Sequence, residues 1–272
     1  MSRSARFFPE KQKAVPRPEP LCLMSETTNN MTETSPAASA RRNVAVVLAG
    51  GTGRRMGLDL PKQFLPIAGR TVLEHTVDAF ERNACIHEIL IVAHPLHVED
   101  TQAIAARNSW KKVTSVLAGG NERYDSSLAA IRACEGRAVN LLLHDAVRPL
   151  VSDRIITDVC ALLSDHEAVV TAVPATDTIY ELNADGTIGR IPDRATLRRA
   201  QTPQAFRREV IAEAYRRAFA DAGFSATDDC GVVRRYMPEV PVSIAEGEER
   251  NLKLTYREDL ALAERLLGGE SR

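Results

Sequence analysis

Apolar and polar positions divide the chain near residue 42. Before that point Pro, Ser, Thr and Asn dominate and no hydrophobic period is visible. Such a composition cannot bury a core, so residues 1–42 are expected to form a disordered N-terminal extension. Its Arg-rich opening faintly resembles an organelle transit peptide, but Glu10, Glu19 and Glu26 weigh against that reading. From residue 43 onward, short apolar runs alternate with stretches of helical period. Residues 44–48 (VAVVL), 88–93, 113–117, 141–143 and 168–173 read as strands, the first buried on both faces as in a parallel sheet. Between them, 71–81, 99–108, a stretch opening near Glu122 and 152–163 read as helices. Thr71 is expected to cap the first, with Glu74 three residues on.

After residue 173 the alternation breaks. Residues 178–182 (TIYEL) and 187–191 (TIGRI) flank the turn sequence NADG at 183–186, predicting a hairpin that projects from the sheet. Helices at 208–220 and about 228–236, a strand at 240–245 and a final helix at 257–267 complete the pattern. Leu260, Leu262, Ala263, Leu266 and Leu267 should form that helix's core-facing stripe. The result is an α/β chain: a doubly wound, mostly parallel sheet over residues 43–272, with a β-arm at about 175–200.

Three strand candidates empty into loops bearing chemistry. The first is followed by LAGGTGRRMG (48–57) and LPKQF (60–64). Gly50, Gly51 and Gly53 leave backbone N–H groups unobstructed and permit positive φ, the makings of an anion-wrapping loop. Arg54, Arg55 and Lys62 add cations beside it, a combination suited to a triphosphate. It is no Walker loop, because Gly57 is followed by Leu58 and Asp59. Nor is it a dinucleotide fingerprint, because the spacing from Gly51 is Gly-x-Gly-x3-Gly and the second strand ends in AHP without an acidic ribose partner. The third strand leads to a second glycine pair, Gly119 and Gly120, and the fourth delivers His144, Asp145 and Arg148. In an open parallel sheet ligands bind at that carboxyl edge.

Composition narrows the partners. Lys and Arg total 35 against 36 acids, so no global charge argues for nucleic acid or a membrane surface, and phosphate-binding charge must be local. Cys22, Cys85, Cys134, Cys160 and Cys230 are scattered without a Cys-x-x-Cys pair. They read as thiols of a reducing, cytoplasmic compartment, and Pro95 spoils His94 and His97 as a ligand pair. No apolar run approaches a membrane span.

Taken with HDAVRP (144–149), QTPQ (201–204) and NLKLT (251–255), in that order, the glycine loop resembles the signature of the polyol-phosphate cytidylyltransferases. That family's acceptors include 2-C-methyl-D-erythritol 4-phosphate and ribitol 5-phosphate. The resemblance spans about residues 43–267 and implies a Rossmann-like nucleotidyltransferase. In that chemistry an acceptor phosphate attacks the α-phosphorus of CTP and releases pyrophosphate. It further implies Arg55 and Lys62 as the catalytic pair, and nucleotide contacts from Ala49, Gly50, Gly51, Gly53, Gly120, Asn121 and Ser126. Asn121 departs from the aspartate of one family form. Asp145 would hold Mg²⁺ or another divalent cation, and Arg148, Thr178, Arg194, Thr202 and Lys253 would hold the acceptor. Arg123, Thr227 and Asp228 are further candidates. The family's counterpart of the hairpin interlocks two subunits, implying a homodimer. LAGG at 48–51 replaces a Pro-Ala-Ala-Gly form common in the methylerythritol branch and points toward the ribitol branch, so the acceptor stays open. A nucleotidyltransferase using another NTP with a sugar phosphate, or a silent nucleotide-binding module, are the alternatives from other classes.

Overall fold

The computed structural model describes residues 41–51, 60–120 and 122–268. Its centre is a seven-stranded sheet built on β1 (Arg42–Ala49). Alternate side chains of β1 enter two separate cores. Val44, Val46 and Leu48 face one layer of helices, while Ala45, Val47 and Ala49 face the other. An apolar strand without polar alternation is what a doubly covered sheet requires.

On one side of β1 lie β4 (Glu88–Ala93) and β5 (Val113–Ala118), and on the other β6 (Val139–Asp145), all parallel. Helices α1 (Val72–Arg82) and α4 (Asp153–Asp165) cover one face through Leu73, Val77, Phe80, Ile155, Ile156 and Val159. The opposite face carries α3 (Arg123–Ala133), α5 (Arg208–Ala218) and α6 (Asp229–Tyr236), packed through Ala130, Ile211, Tyr215 and Val233. Helix α2 (Val98–Arg107) adds Ile104 to the core beneath α1 and α4. The predicted capping box at α1 is present, with Glu74 N–H donating to Thr71 Oγ1 at 3.2 Å and Thr71 N–H to Glu74 Oε2 at 2.8 Å. A two-residue hairpin, β2 (Pro66–Ile67) with β3 (Arg70–Thr71), leads into α1.

Beyond β6 the sheet departs from the predicted pattern. Strand β10 (Arg198–Arg207) inserts between β6 and β7 (Ala168–Pro174) and runs antiparallel to both. Sequence period missed it because QTPQ sits in its middle. The pairing register shifts between Ala200 and Gln204, so Gln201, Thr202 and Pro203 form a bulge that turns their groups out of the ladder. The edge is β11 (Val242–Glu246), parallel to β7. Between β7 and β10 the chain makes the expected arm, β8 (Glu181–Leu182) and β9 (Ile188–Arg190), around Gly186 at φ +83°.

The last helix, α7 (Arg257–Gly268), packs on a small third core of Ile67, Val72, Leu150, Leu254 and Ala263. Leu260, Leu266 and Leu267 join it, but Leu262 does not: it is exposed, so the predicted stripe is narrower by one residue. Among the described residues no helix is long and apolar enough to cross a membrane.

Candidate active site

Register brings the chemistry-bearing loops to one edge. Leu48 pairs with Asp145, and Ala49, Ala93 and Ala118 are level across β1, β4 and β5, so four parallel strands end together. The glycine turns after β1 and β5 converge on one atom: Ser126 Oγ, in the second turn of α3. A methyl group built on Gly50 would stand 2.9 Å from it, and one on Gly119 would overlap it. Gly120 is as tight, since a methyl there would lie 2.6 Å from Asp125 Oδ2. Bare backbone is therefore required at these positions. Gln63, also buried, fixes the first turn by donating to Ala49 O at 2.8 Å and Gly51 O at 3.0 Å. The predicted residues Gly53, Arg55 and Asn121 lie outside the described residues.

Asp145, at the end of β6, collects cations from three elements. Lys253 Nζ stands 2.8 Å from Oδ2, Arg148 Nε 3.7 Å from the same oxygen, and Arg123 Nε 3.4 Å from Oδ1. Burial opposes the carboxylate's charge, but Arg123, Lys253 and Arg148 outweigh it and hold the group well below the ordinary carboxylate range. Arg123 reaches on to Asp229, which is fully buried and accepts the Tyr215 hydroxyl at 2.6 Å. Burial, with the Asp229 charge beside it, pushes the Tyr215 phenol far above its usual range. Arg123 Nη2 and Arg148 Nε are buried donors with no hydrogen-bond acceptor among the described residues. Buried unsatisfied donors are costly, and an anionic ligand answers that demand.

Lys62 sits in a short 3₁₀ turn (Lys62–Phe64), 8% exposed, and donates to Thr255 O at 2.7 Å. The segment it touches is the one that supplies Lys253. That strap is anchored by Leu254 N–H to Val147 O at 2.9 Å and by Arg148 Nη1 to Asn251 O at 2.7 Å. Lys62 and Asp145 therefore reach opposite ends of one short segment, the arrangement expected of partners at one site.

The QTPQ bulge ties three segments to this edge. Gln201 Nε2 donates to Glu248 O at 2.8 Å, and Asn251 Nδ2 donates to Gln201 Oε1 and Thr202 O. Gln204 Oε1 accepts the N–H groups of Asp229 and Cys230, each at 3.1 Å. Thr202 Oγ1 accepts Asp145 N–H at 3.1 Å. Thus Ala49, Gly50, Gly51, Gly120, Ser126, Lys62, Asp145, Arg148, Thr202 and Lys253 gather at the sheet's carboxyl edge. Thr178 and Arg194 do not join the Asp145 cluster. Both are exposed on the arm segment, where Arg194 donates to Thr176 O at 3.0 Å. Sequence reasoning gave no role to Gln63, Gln201, Gln204, Asn251, Tyr215 or Asp229. The signal for four of them was membership of intact blocks, while Tyr215 and Asp229 carried none.

Among the described residues no group of three or more His, Cys, Asp or Glu side chains forms a metal cage. A lone ionised aspartate is what a magnesium ion shared with a triphosphate needs, since that ion takes one or two carboxylates and fills its octahedron with phosphate oxygens and water. The unsatisfied guanidinium donors fit the same anionic partner.

Residues 43–269 match the family model for 2-C-methyl-D-erythritol 4-phosphate cytidylyltransferase (IspD). The chain is 49% identical over 238 residues to the Thermobifida fusca 2-C-methyl-D-erythritol 4-phosphate cytidylyltransferase, covering 85% of this chain and 96% of that one. It is 42% identical to the Haemophilus influenzae bifunctional ribulose 5-phosphate reductase/CDP-ribitol pyrophosphorylase Bcs1, covering 85% of this chain but only 49% of that longer protein. Among solved structures, the 4-diphosphocytidyl-2C-methyl-D-erythritol synthase of Anaerococcus prevotii superposes with a TM-score of 0.75 at 27% identity, over 84% of this chain and 97% of that one.

Proposed function

The chain belongs to the 2-C-methyl-D-erythritol 4-phosphate cytidylyltransferase family, and from that premise we propose that it transfers CMP from CTP to 2-C-methyl-D-erythritol 4-phosphate. The carrying observation is Asp145 with Arg123, Arg148 and Lys253 around it, level with the glycine turn at the end of β1. In this reaction an acceptor phosphate oxygen attacks the α-phosphorus of CTP. The bond to the bridging oxygen of the β-phosphate breaks, and pyrophosphate leaves as the CDP-polyol forms. The nucleophile is already ionised near neutral pH, so the protein has to position two anions and neutralise charge.

Each residue then has a task. Ala49, Gly50, Gly51 and Gly53 present backbone to the triphosphate, with Arg55 and Lys62 on the α-phosphoryl oxygens where charge grows. Gly120, Asn121 and Ser126 take the cytidine. Arg148, Thr202 and Lys253 receive the acceptor phosphate, and Thr178 and Arg194 reach it across a dimer. Asp145 would hold Mg²⁺, which when bound would supply a Lewis acid for the phosphoryl oxygens. Arg123, Arg148 and Lys253 stand beside that carboxylate, where they can neutralise phosphate charge.

Exposed Ile179, Tyr180, Leu182, Ile188 and Ile191, between 45% and 64% accessible, support the arm as a homodimer contact. We assign the catalytic domain to residues 43–272, the arm to about 175–200, and the location to the cytoplasm. Residues 1–39 have no part in the chemistry, so a chain begun at Ala40 should keep full turnover, and a shortened chain that folds but is inactive would refute this. Ribitol 5-phosphate is the second reading, favoured by the 42% identity to the Haemophilus protein. Pyrophosphate release from CTP with each polyol phosphate offered separately tests both. Faster turnover of 2-C-methyl-D-erythritol 4-phosphate supports the first reading, and preference for ribitol 5-phosphate replaces it.

A further inference from the structure

His144 is fully buried one residue before Asp145, edge-on to Phe80 at 4.9 Å between ring centroids. Its Nε2 lies 3.1 Å from the Arg148 carbonyl oxygen and its Nδ1 3.1 Å from Thr202 Oγ1. A carbonyl oxygen can only accept, so Nε2 carries the ring proton. In the neutral ring Nδ1 is then an acceptor, and the Thr202 hydroxyl must donate to it. That hydroxyl also accepts the Asp145 N–H. Every direction in the network follows: Asp145 N–H to Thr202 oxygen, Thr202 O–H to His144 Nδ1, and His144 Nε2–H to the Arg148 carbonyl.

The network spans the turn that presents both charged groups. Arg148 N–H donates to Asp145 O at 3.0 Å, and Ala146 N–H to Leu48 O at 3.0 Å, so the turn is pinned to β1 on one side. His144 and the bulged Thr202 pin it on the other. Thr202 is 4% exposed, and its only proton is committed to the imidazole.

We propose that His144 and Thr202 are positioning residues for cytidylyl transfer, which hold the 144–148 turn so that the Asp145 carboxylate and the Arg148 guanidinium face the same ligand. This revises Thr202 from an acceptor-phosphate donor to a support of the residues that bind it. The kinetic part rests on the proposed reaction, while the hydrogen-bond directions stand without it.

The experiment combines nitrogen-15 imidazole NMR on the full chain with kinetics of Thr202→Val and Thr202→Ser. Wild type should show a neutral ring with protonated Nε2 and a hydrogen-bonded Nδ1. In Thr202→Val the Nδ1 resonance should move downfield to that of a free acceptor, with the tautomer unchanged, and Thr202→Ser should restore it. Loss of one positioning hydrogen bond should lower kcat of Thr202→Val by about tenfold, with KM for CTP within about twofold, and Thr202→Ser should recover most of the rate. A ring protonated at Nδ1 in wild type overturns the network even if no variant folds. A Thr202→Val protein whose imidazole resonances do not move, or whose only defect is a raised KM for the acceptor, returns Thr202 to direct acceptor binding. A folded Thr202→Val with unchanged kcat refutes the positioning role alone and leaves the proposed reaction untouched.

Discussion

Replacing Gly119 by alanine tests whether the two glycine turns meet at Ser126. A Cβ at residue 119 would overlap Ser126 Oγ and stand 3.2 Å from Val92 Cγ1 and 3.3 Å from Ala93 O. Both of the latter atoms belong to the buried strand β4, and Gly119 N–H already donates to Ala93 O at 2.8 Å, so the backbone cannot retreat without breaking that bond. Ser126 Oγ must turn away, on a side chain that is itself only 2% exposed. Overpacking of this kind destabilises by about 1–3 kcal/mol. In a chain this size each kcal/mol lowers Tm by about 2–4 °C. Thermal unfolding should therefore show a loss of several degrees, and under the proposed assignment of Ser126 to the cytidine KM for CTP should rise by about tenfold. The discriminating variant is Gly119→Ala with Ser126→Ala. Removing Oγ relieves the overlap, so the double variant should regain at least about 1 kcal/mol relative to additivity. Strictly additive losses, or a Gly119→Ala protein with wild-type Tm and KM, would refute the convergence.

Three further outcomes follow from the same geometry. Lys62→Ala should lower turnover by at least about a hundredfold while CTP binding stays measurable by calorimetry, and near-normal turnover would remove the catalytic assignment. Asp229→Asn strips one of the two carboxylates that face half-buried Arg123, the other being Asp145, and should cost about 1.5–3 kcal/mol in chemical denaturation, against about 1 kcal/mol for Tyr215→Phe; equal, small losses would contradict the pairing. Burial holds the His144 imidazole down to about 4 from its ordinary value of 6.5, so between these values the unfolded chain binds a proton that the folded chain refuses. Stability should then fall as pH drops through that window, by about 3 kcal/mol more in wild type than in His144→Gln. Parallel denaturation curves for the two proteins would contradict this.

Legibility in the sequence followed how local the determining physics was. Strand β4 is where its apolar run stands, and the Thr71–Glu74 cap formed because both partners lie within one helical turn. The carboxyl edge was readable because topology alone brings the ends of β1, β5 and β6 together. β10 was not: its alternation is interrupted by a bulge whose polar groups are satisfied by Glu248 and Asn251, contacts no local window contains. Asp229 escaped notice for the same reason, since its partners Arg123 and Tyr215 are 106 and 14 residues away. Leu262 went the other way, an apolar residue at helical spacing that the narrow third core leaves in solvent.

The most direct test of the proposed chemistry follows the oxygen atoms. With 2-C-methyl-D-erythritol 4-phosphate carrying heavy oxygen on its phosphate, attack on the α-phosphorus of CTP predicts that all of the label stays in the CDP-polyol, one atom of it bridging the two phosphorus atoms, and that the released pyrophosphate is unlabelled. Label appearing in the pyrophosphate, or CTP cleaved without a CDP-polyol product, would contradict the account.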